Sequence, residues 1–214
     1  MFDYDLLHWS TFLVAAILLN LSPGPDMAFI LGQTASGGRK AGFSAMFGIW
    51  IGAGCHALAA ALGISAIFAT SASAFAILKW IGAAYLVWLG IKALRSDGTS
   101  LSGSQSIPGD AKTSGNRVFR QGIIVSLLNP KVAIFFMAFL PQFVVPGAGP
   151  TSLQLLLHGV LIIVVAGVVE PPLILLGDKL SSRVRASRRF GLWLDRSLGS
   201  LFIGLGIKLA LTER

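Results

Sequence analysis

Residues 19–26 read Leu-Asn-Leu-Ser-Pro-Gly-Pro-Asp, from Leu19 to Asp26, inside an apolar run that extends from about Trp9 to Leu31. An unpaired amide or carbonyl is costly in hydrocarbon, so helix-breaking residues persist there only where protein or a water-filled cavity satisfies the freed groups. Pro23 and Pro25 each remove a backbone donor, and Gly24 lets the chain turn. The stretch therefore predicts a helix broken part-way through the first apolar run. The alternative is a proline kink that serves packing alone.

The rest of the chain sets the medium in which this break sits. Of 214 residues, 54% are hydrophobic and only 12% charged, and the mean hydropathy is +0.76, too apolar for a soluble domain of this size. The chain reads as a polytopic, all-α membrane protein. Its net charge of +8 does not indicate nucleic acid, because Lys and Arg lie between the apolar runs without interleaved aromatic or zinc-finger spacing. The lone Cys55 excludes an internal disulfide and a thiol-pair mechanism, and it reads as a small buried side chain. The opening MFDYDLLHW carries two aspartates and no Lys or Arg, so the first run is read as a span and not as a secretory signal.

Six stretches reach the roughly 20 apolar residues needed to cross a bilayer: about 9–31, 43–69, 74–94, 119–144, 153–177 and 191–211. The Gly- and Ser-rich segment from Arg95 to Arg117 reads as a flexible tether. The organisation expected is a first three-helix repeat over 1–95, a cytoplasmic linker over 96–117 and a second three-helix repeat over 118–214. Thirteen of the 17 basic residues fall in the linkers after spans one, three and five, which places those linkers in the cytoplasm and both termini outside.

The two halves echo each other. Pro25-Asp26-Met27-Ala28-Phe29 has a counterpart 105 residues later in Pro130-Lys131-Val132-Ala133-Ile134, and Leu89-Gly90-Ile91-Lys92 returns 116 residues later as Leu205-Gly206-Ile207-Lys208. The drift in register is assigned to the basic linker from Asp178 to Arg189. Three spans per repeat is an odd number, so the halves must be inverted, with broken helices in spans one and four. That architecture is characteristic of secondary transporters, whose substrate site lies near the midplane between the repeats.

Asp26 sits at the first break, and an ionisable residue within a span is a functional candidate by default; its alternative is an interfacial aspartate close to Arg39 and Lys40. Lys131 takes the matching place at the second break, with Asn129 beside it. An acid and a base on opposed half-helices suit the ammonium and carboxylate of a zwitterion. The candidate substrate-binding set is thus Ser22, Pro23, Gly24, Pro25, Asp26, Asn129, Pro130 and Lys131, and the proton-coupling candidates are Asp26, Glu170 and His56. His56 follows Gly48 and Gly52 on a small-residue face, which favours a helix–helix hydrogen bond over a relay, and that face serves either internal packing or a homodimer. Glu170 precedes Pro171 and Pro172, and proton coupling and a structural role are both open to it. His158 and Asp178 are read as interfacial.

SPGPD in the first span, LKWIGAAYLVWLGIKALR (78–95), FRQGIIVSLLNPKVAIFFMAFLPQFV (119–144) and the closing LGSLFIGLGIKLAL resemble the LysE/RhtB family of amino-acid exporters over essentially the whole chain. The resemblance implies efflux of amino acids or close derivatives across the bacterial inner membrane by proton exchange, with protons, the substrate and the lipid bilayer as partners. Pro23, Gly24 and Pro25 match the family's first-span motif, and Asn129, Pro130 and Lys131 its fourth-span motif. Glu170-Pro171-Pro172 is not part of that pattern. No cofactor, metal or nucleic acid is implied, and no enzyme: the chain has no HExxH or GxSxG, and its three histidines are scattered. The alternative function is a small-cation efflux carrier or a passive channel, since broken helices also line pores.

Overall fold

A computed structural model describes residues 4–21, 24–70, 72–97, 114–176 and 188–211, and among them every regular element is helical. In chain order these are α1 (Leu6–Leu21), α2 (Pro25–Thr70), α3 (Ala72–Leu94), α4 (Gly115–Leu127), α5 (Pro130–Phe139) with a closing 3-10 turn (Leu140–Phe143), α6 (Thr151–Leu175) and α7 (Arg188–Leu211). Ser22 and Pro23, most of the expected tether (98–113) and the basic stretch 177–187, with Asp178, lie outside the described residues.

The breaks fall where the prolines predict them. α1 stops at Leu21 and α2 starts on Pro25; α4 stops at Leu127 and α5 starts on Pro130. Proline fits the first helical position because its missing NH has no partner there in any case. The α4 segment and the continuous piece from Pro130 to Phe143 are bent by 52°. A further interruption lies inside α2 at Gly38, whose φ of 73° and ψ of −175° belong to a region open essentially to glycine alone.

Each of the six expected apolar stretches falls on helix. Among the described residues, the Pro25–Ser65 part of α2 and all of α6 are long and apolar enough to cross a membrane, and the bent piece from Gly115 to Phe143 makes a third. α1 is shorter, at 16 residues, because the break ends it. α4 begins at Gly115, and Val118 is buried in its first turns.

Small residues set the helix packing. A Cβ on Gly52 would lie 2.6 Å from the Cβ of Ser126, and one on Gly122 would lie 2.6 Å from the Ala45 carbonyl, so α2 and α4 touch backbone to backbone. The Gly48/Gly52 face is thereby filled inside the chain and is not open to a second copy. α3 and α7 meet in the same way at Gly90 and Gly199. A buried aromatic core of Phe12, Phe135, Phe136, Phe139 and Phe143 lies between α1, α5 and α6.

Cys55 corrects the expectation of burial: it is exposed. Phe47, Ile51, Leu58 and Leu62 are exposed on α2 with it. Steps of three and four residues put these on one stripe, beside the Gly48/Gly52 face. The thiol occupies a place in an outward apolar stripe.

Candidate functional site

The two helix starts meet. Asp26, in the first turn of α2, accepts a hydrogen bond from Asn129 Nδ2 at 2.8 Å on Oδ1 and a longer one from Ser126 Oγ at 3.5 Å on Oδ2. Asn129 does two things at once, since its Oδ1 also accepts from the Lys131 backbone NH at 3.0 Å and so caps α5. Lys131 lies against the other break: a Cβ on Gly24 would be 3.4 Å from both its Cδ and its Nζ. The relation is reciprocal. If Pro25 is matched with Pro130, Asp26 corresponds to Lys131 and Gly24 to Asn129, so each charged residue touches the residue that precedes the other's proline.

A carboxylate in the first turn of α2 is favoured by the helix dipole, whereas an ammonium in the first turn of α5 is opposed by it. Lys131 holds that position between two carboxylates in electrostatic reach, Asp26 and Asp195. Asp195, on α7, is only 4% exposed. Sequence reading passed over it. The rule that singles out Asp26, an ionisable residue within a span, applies equally to Asp195, but its neighbours Arg188, Arg189 and Arg196 give it the look of an interfacial charge.

Two cavities adjoin this junction, and Gly24, Asn129 and Lys131 line both. The larger, of about 780 Å³, reaches Lys92, Arg95 and Ser96 at the C-terminal end of α3 and includes Asp195, Tyr85 and Trp88. Pro25 and Pro130 border it as well. The smaller, of about 60 Å³, lies on the other side and is lined by Asn20, Asp26, Trp50 and Glu170. The larger is of the size of a small-molecule site; the smaller has room for a few waters.

Glu170 is buried and accepts a hydrogen bond from Trp50 Nε1 at 2.7 Å. Trp50 is a second residue that sequence reading missed, and an indole in an apolar run gives no local signal of its partner. His56 Nε2 pairs with the Ser126 carbonyl at 3.1 Å, the helix–helix contact expected for that face, and lies in electrostatic reach of Asp26. Thus Asp26, Asn129, Lys131 and Glu170 are brought together around one small chamber, with His56 behind Ser126.

At the opposite end of the molecule His158 is buried against α1. It is 1% exposed, its Nδ1 meets the Gln154 carbonyl at 2.8 Å and its Nε2 meets His8 Nε2 at 2.8 Å. Trp9 stacks on it and Phe12 packs edge-on. Tyr4, ahead of α1, donates to Gln154 Oε1 at 3.1 Å, and burial pushes its phenol above the ordinary value. The ring buries because α1 lies across the start of α6. No group of three or more His, Cys, Asp or Glu able to hold a metal ion occurs among the described residues.

Among the described residues every regular element is helical, apolar side chains face outward and charged residues gather at two helix breaks, as in an all-α membrane protein. Residues 17–213 match the model of the LysE type translocator family, and the chain belongs to that family. Relatives include the homoserine/homoserine lactone efflux protein of Salmonella typhimurium, 34% identical over 203 residues, covering 94% of this chain and 95% of that protein. Two uncharacterized membrane proteins are each 32% identical: one of Pseudomonas aeruginosa, covering 94% of this chain and 93% of its own length, and one of Vibrio cholerae, covering 96% and 98%. No solved structure matches. The family is one of transporters, in keeping with the expectation of a membrane carrier and not an enzyme.

Proposed function

We infer that this protein is a secondary active exporter of amino acids or close derivatives across the bacterial inner membrane, working by proton exchange at a site between two inverted three-helix repeats. The observation that carries this reading is the reciprocal contact of Asp26 with Asn129 and of Lys131 with Gly24. Exchange of partners under the repeat pairing is what a pseudo-two-fold axis through the site produces. A second pair of contacts supports the same axis. Gly90 faces the Gly199 carbonyl and Gly206 faces the Ala83 carbonyl, and the 116-residue offset turns the first pair into the second.

In this reading the breaks present Asp26 for a substrate ammonium, and Lys131 with the α5 helix start for a carboxylate. Gly24, Pro25, Asn129 and Pro130 supply the backbone and the amide around them, and Ser22 and Pro23, outside the described residues, belong to the site on the sequence motif alone. Glu170, hydrogen-bonded and buried beside the small chamber, is the first proton-coupling candidate; Asp26 and His56 are the others. The basic linkers face the cytoplasm and both termini face outward, so the larger cavity opens inward, the side from which an exporter loads. Homoserine and its lactone, named for the Salmonella relative, are the first candidate substrates.

Counterflow in proteoliposomes, with a panel of labelled amino acids including homoserine, tests the reading. Saturable counterflow that an imposed pH gradient drives into net accumulation is expected. Downhill flux indifferent to the gradient overturns it in favour of a channel, and flux of small cations alone overturns it in favour of a cation carrier.

A further inference from the structure

We propose that Asp195 is a substrate-binding residue, the group that takes the ammonium of an amine-bearing substrate in the inward cavity while Lys131 takes the carboxylate where the substrate has one. The proposal rests on the exporter reading above and, for entry from the inward cavity, assigns the ammonium to Asp195 ahead of Asp26.

The geometry separates two carboxylates that the junction alone does not distinguish. Asp26 lines the cavity of about 60 Å³. That space does not admit an amino acid. Asp195 lines the cavity of about 780 Å³, and Lys131 lines it too. A zwitterion that enters from the α3 end therefore meets an acid and a base on the walls of one chamber, with Asp26 beyond them.

The surroundings agree with a binding role. Asp195 is buried on a helix whose outward residues include Trp193 and Ile207 as well as Arg196 and Ser200, and a span carries a buried charge at a cost unless it faces a cavity or a partner. Here it does both. Tyr85, Trp88 and Phe202 share the cavity and offer apolar surface for a substrate side chain.

The two inner charges give the substrate class. Asp195 meets the ammonium that every amine-bearing substrate carries, and Lys131 meets a carboxylate only where the substrate has one, while Lys92 and Arg95 line the same cavity at the α3 end. The site thus accepts a primary amine with or without a free carboxylate, and Lys131 discriminates between the two.

Affinities of the purified full-length protein for L-homoserine and for L-homoserine amide, which keeps the ammonium and lacks the carboxylate, test this directly. Asp195→Asn is expected to weaken both ligands at least tenfold, and Lys131→Met to weaken the amino acid at least tenfold while changing the amide less than threefold. Asp195→Glu keeps a carboxylate and is expected to recover at least part of both affinities, a rescue that a merely structural aspartate gives no reason to follow ligand type. Wild-type affinities in Asp195→Asn, with Asp26→Asn or Lys131→Met impaired, overturn the proposal and leave the exporter reading standing. Failure of the wild type to bind either ligand overturns the proposal, and failure to exchange any amino acid of the panel overturns both. Should Asp195→Asn not fold, Asp195→Ser decides: unchanged affinity for both ligands overturns the proposal.

Discussion

Asn129 donates from Nδ2 to Asp26 Oδ1 at 2.8 Å and so ties together two helix starts 103 residues apart. The same side chain caps α5 through its Oδ1. Asn129→Leu removes both interactions at once. A hydrogen bond to a charged group is worth about 1.5–3 kcal/mol and a cap about 1 kcal/mol. The variant is expected to melt at lower temperature in detergent and to lose most counterflow. Asn129→Asp, which sets a second carboxylate against Asp26, is expected to fare no better; wild-type melting in both would show that the bond does not hold the breaks together.

The contact between α3 and α7 predicts a contrast between glycines. A Cβ at Gly90 would stand 2.7 Å from the Gly199 carbonyl, whereas one at Gly204 meets nothing within 4 Å. Gly90→Ala therefore forces the helices apart, at about 1–3 kcal/mol. Gly204→Ala meets no such clash and gains helix propensity, so it is expected to be neutral or stabilising by up to about 1 kcal/mol. Thermal melts of the two variants check the sign of each.

The breaks were legible in sequence because proline and glycine act locally: Pro25 and Pro130 start helices whatever surrounds them. So was the meeting of Asp26 with the second break, because a charge in hydrocarbon must find a partner and the repeat pointed to one. Facing was less legible. Cys55 lies three residues from Gly52, and residue type alone does not say that one step around the helix turns a small side chain outward. The burial of Asp195 and His158 was not legible for a related reason. Each stands near the end of an apolar run, and only the crossing of a second helix shows that it is covered.

Gly38 gives α2 its second break, and its φ of 73° with ψ near −175° has a physical cost for any other residue. Gly38→Ala is expected to destabilise by about 1–3 kcal/mol, although a Cβ there has open space around it. The penalty comes from the backbone and not from a clash. Gly32→Ala, also with nothing within 4 Å but at helical dihedrals, is the control and is expected to melt as the wild type does.

Asp26, Lys131 and Asp195 predict an asymmetric double-mutant cycle. Lys131→Met leaves two carboxylates without their shared cation, while Asp26→Asn leaves Lys131 with Asp195. Breaking a buried pair costs about 3–5 kcal/mol, so Lys131→Met is expected to be the worse of the two. Adding Asp26→Asn to Lys131→Met removes one stranded charge and is expected to recover part of the loss in stability without restoring transport. Detergent melts and counterflow for the four proteins measure both; strictly additive losses would sink the pairing.

Trp50 and Glu170 allow the structural and the coupling roles of a buried carboxyl to be told apart. The indole NH donates to Oε2 at 2.7 Å, so position 170 must offer an acceptor whatever else it does. Glu170→Leu leaves that donor unsatisfied, at about 1–3 kcal/mol, and is expected to lower the melting temperature. Glu170→Gln keeps an amide oxygen for the indole and removes the only atom on that side chain able to release a proton. It is expected to fold and melt close to the wild type. Counterflow exchanges substrate for substrate and needs no net proton movement, so Glu170→Gln should retain it. Accumulation driven by a pH gradient needs the proton to cross, and that is expected to fall at least tenfold. Loss of both activities with normal folding would place Glu170 in substrate binding. Retention of both would make it a structural acceptor for Trp50 and move proton coupling to Asp26 or His56, which lie in electrostatic reach of each other on the other side of Ser126.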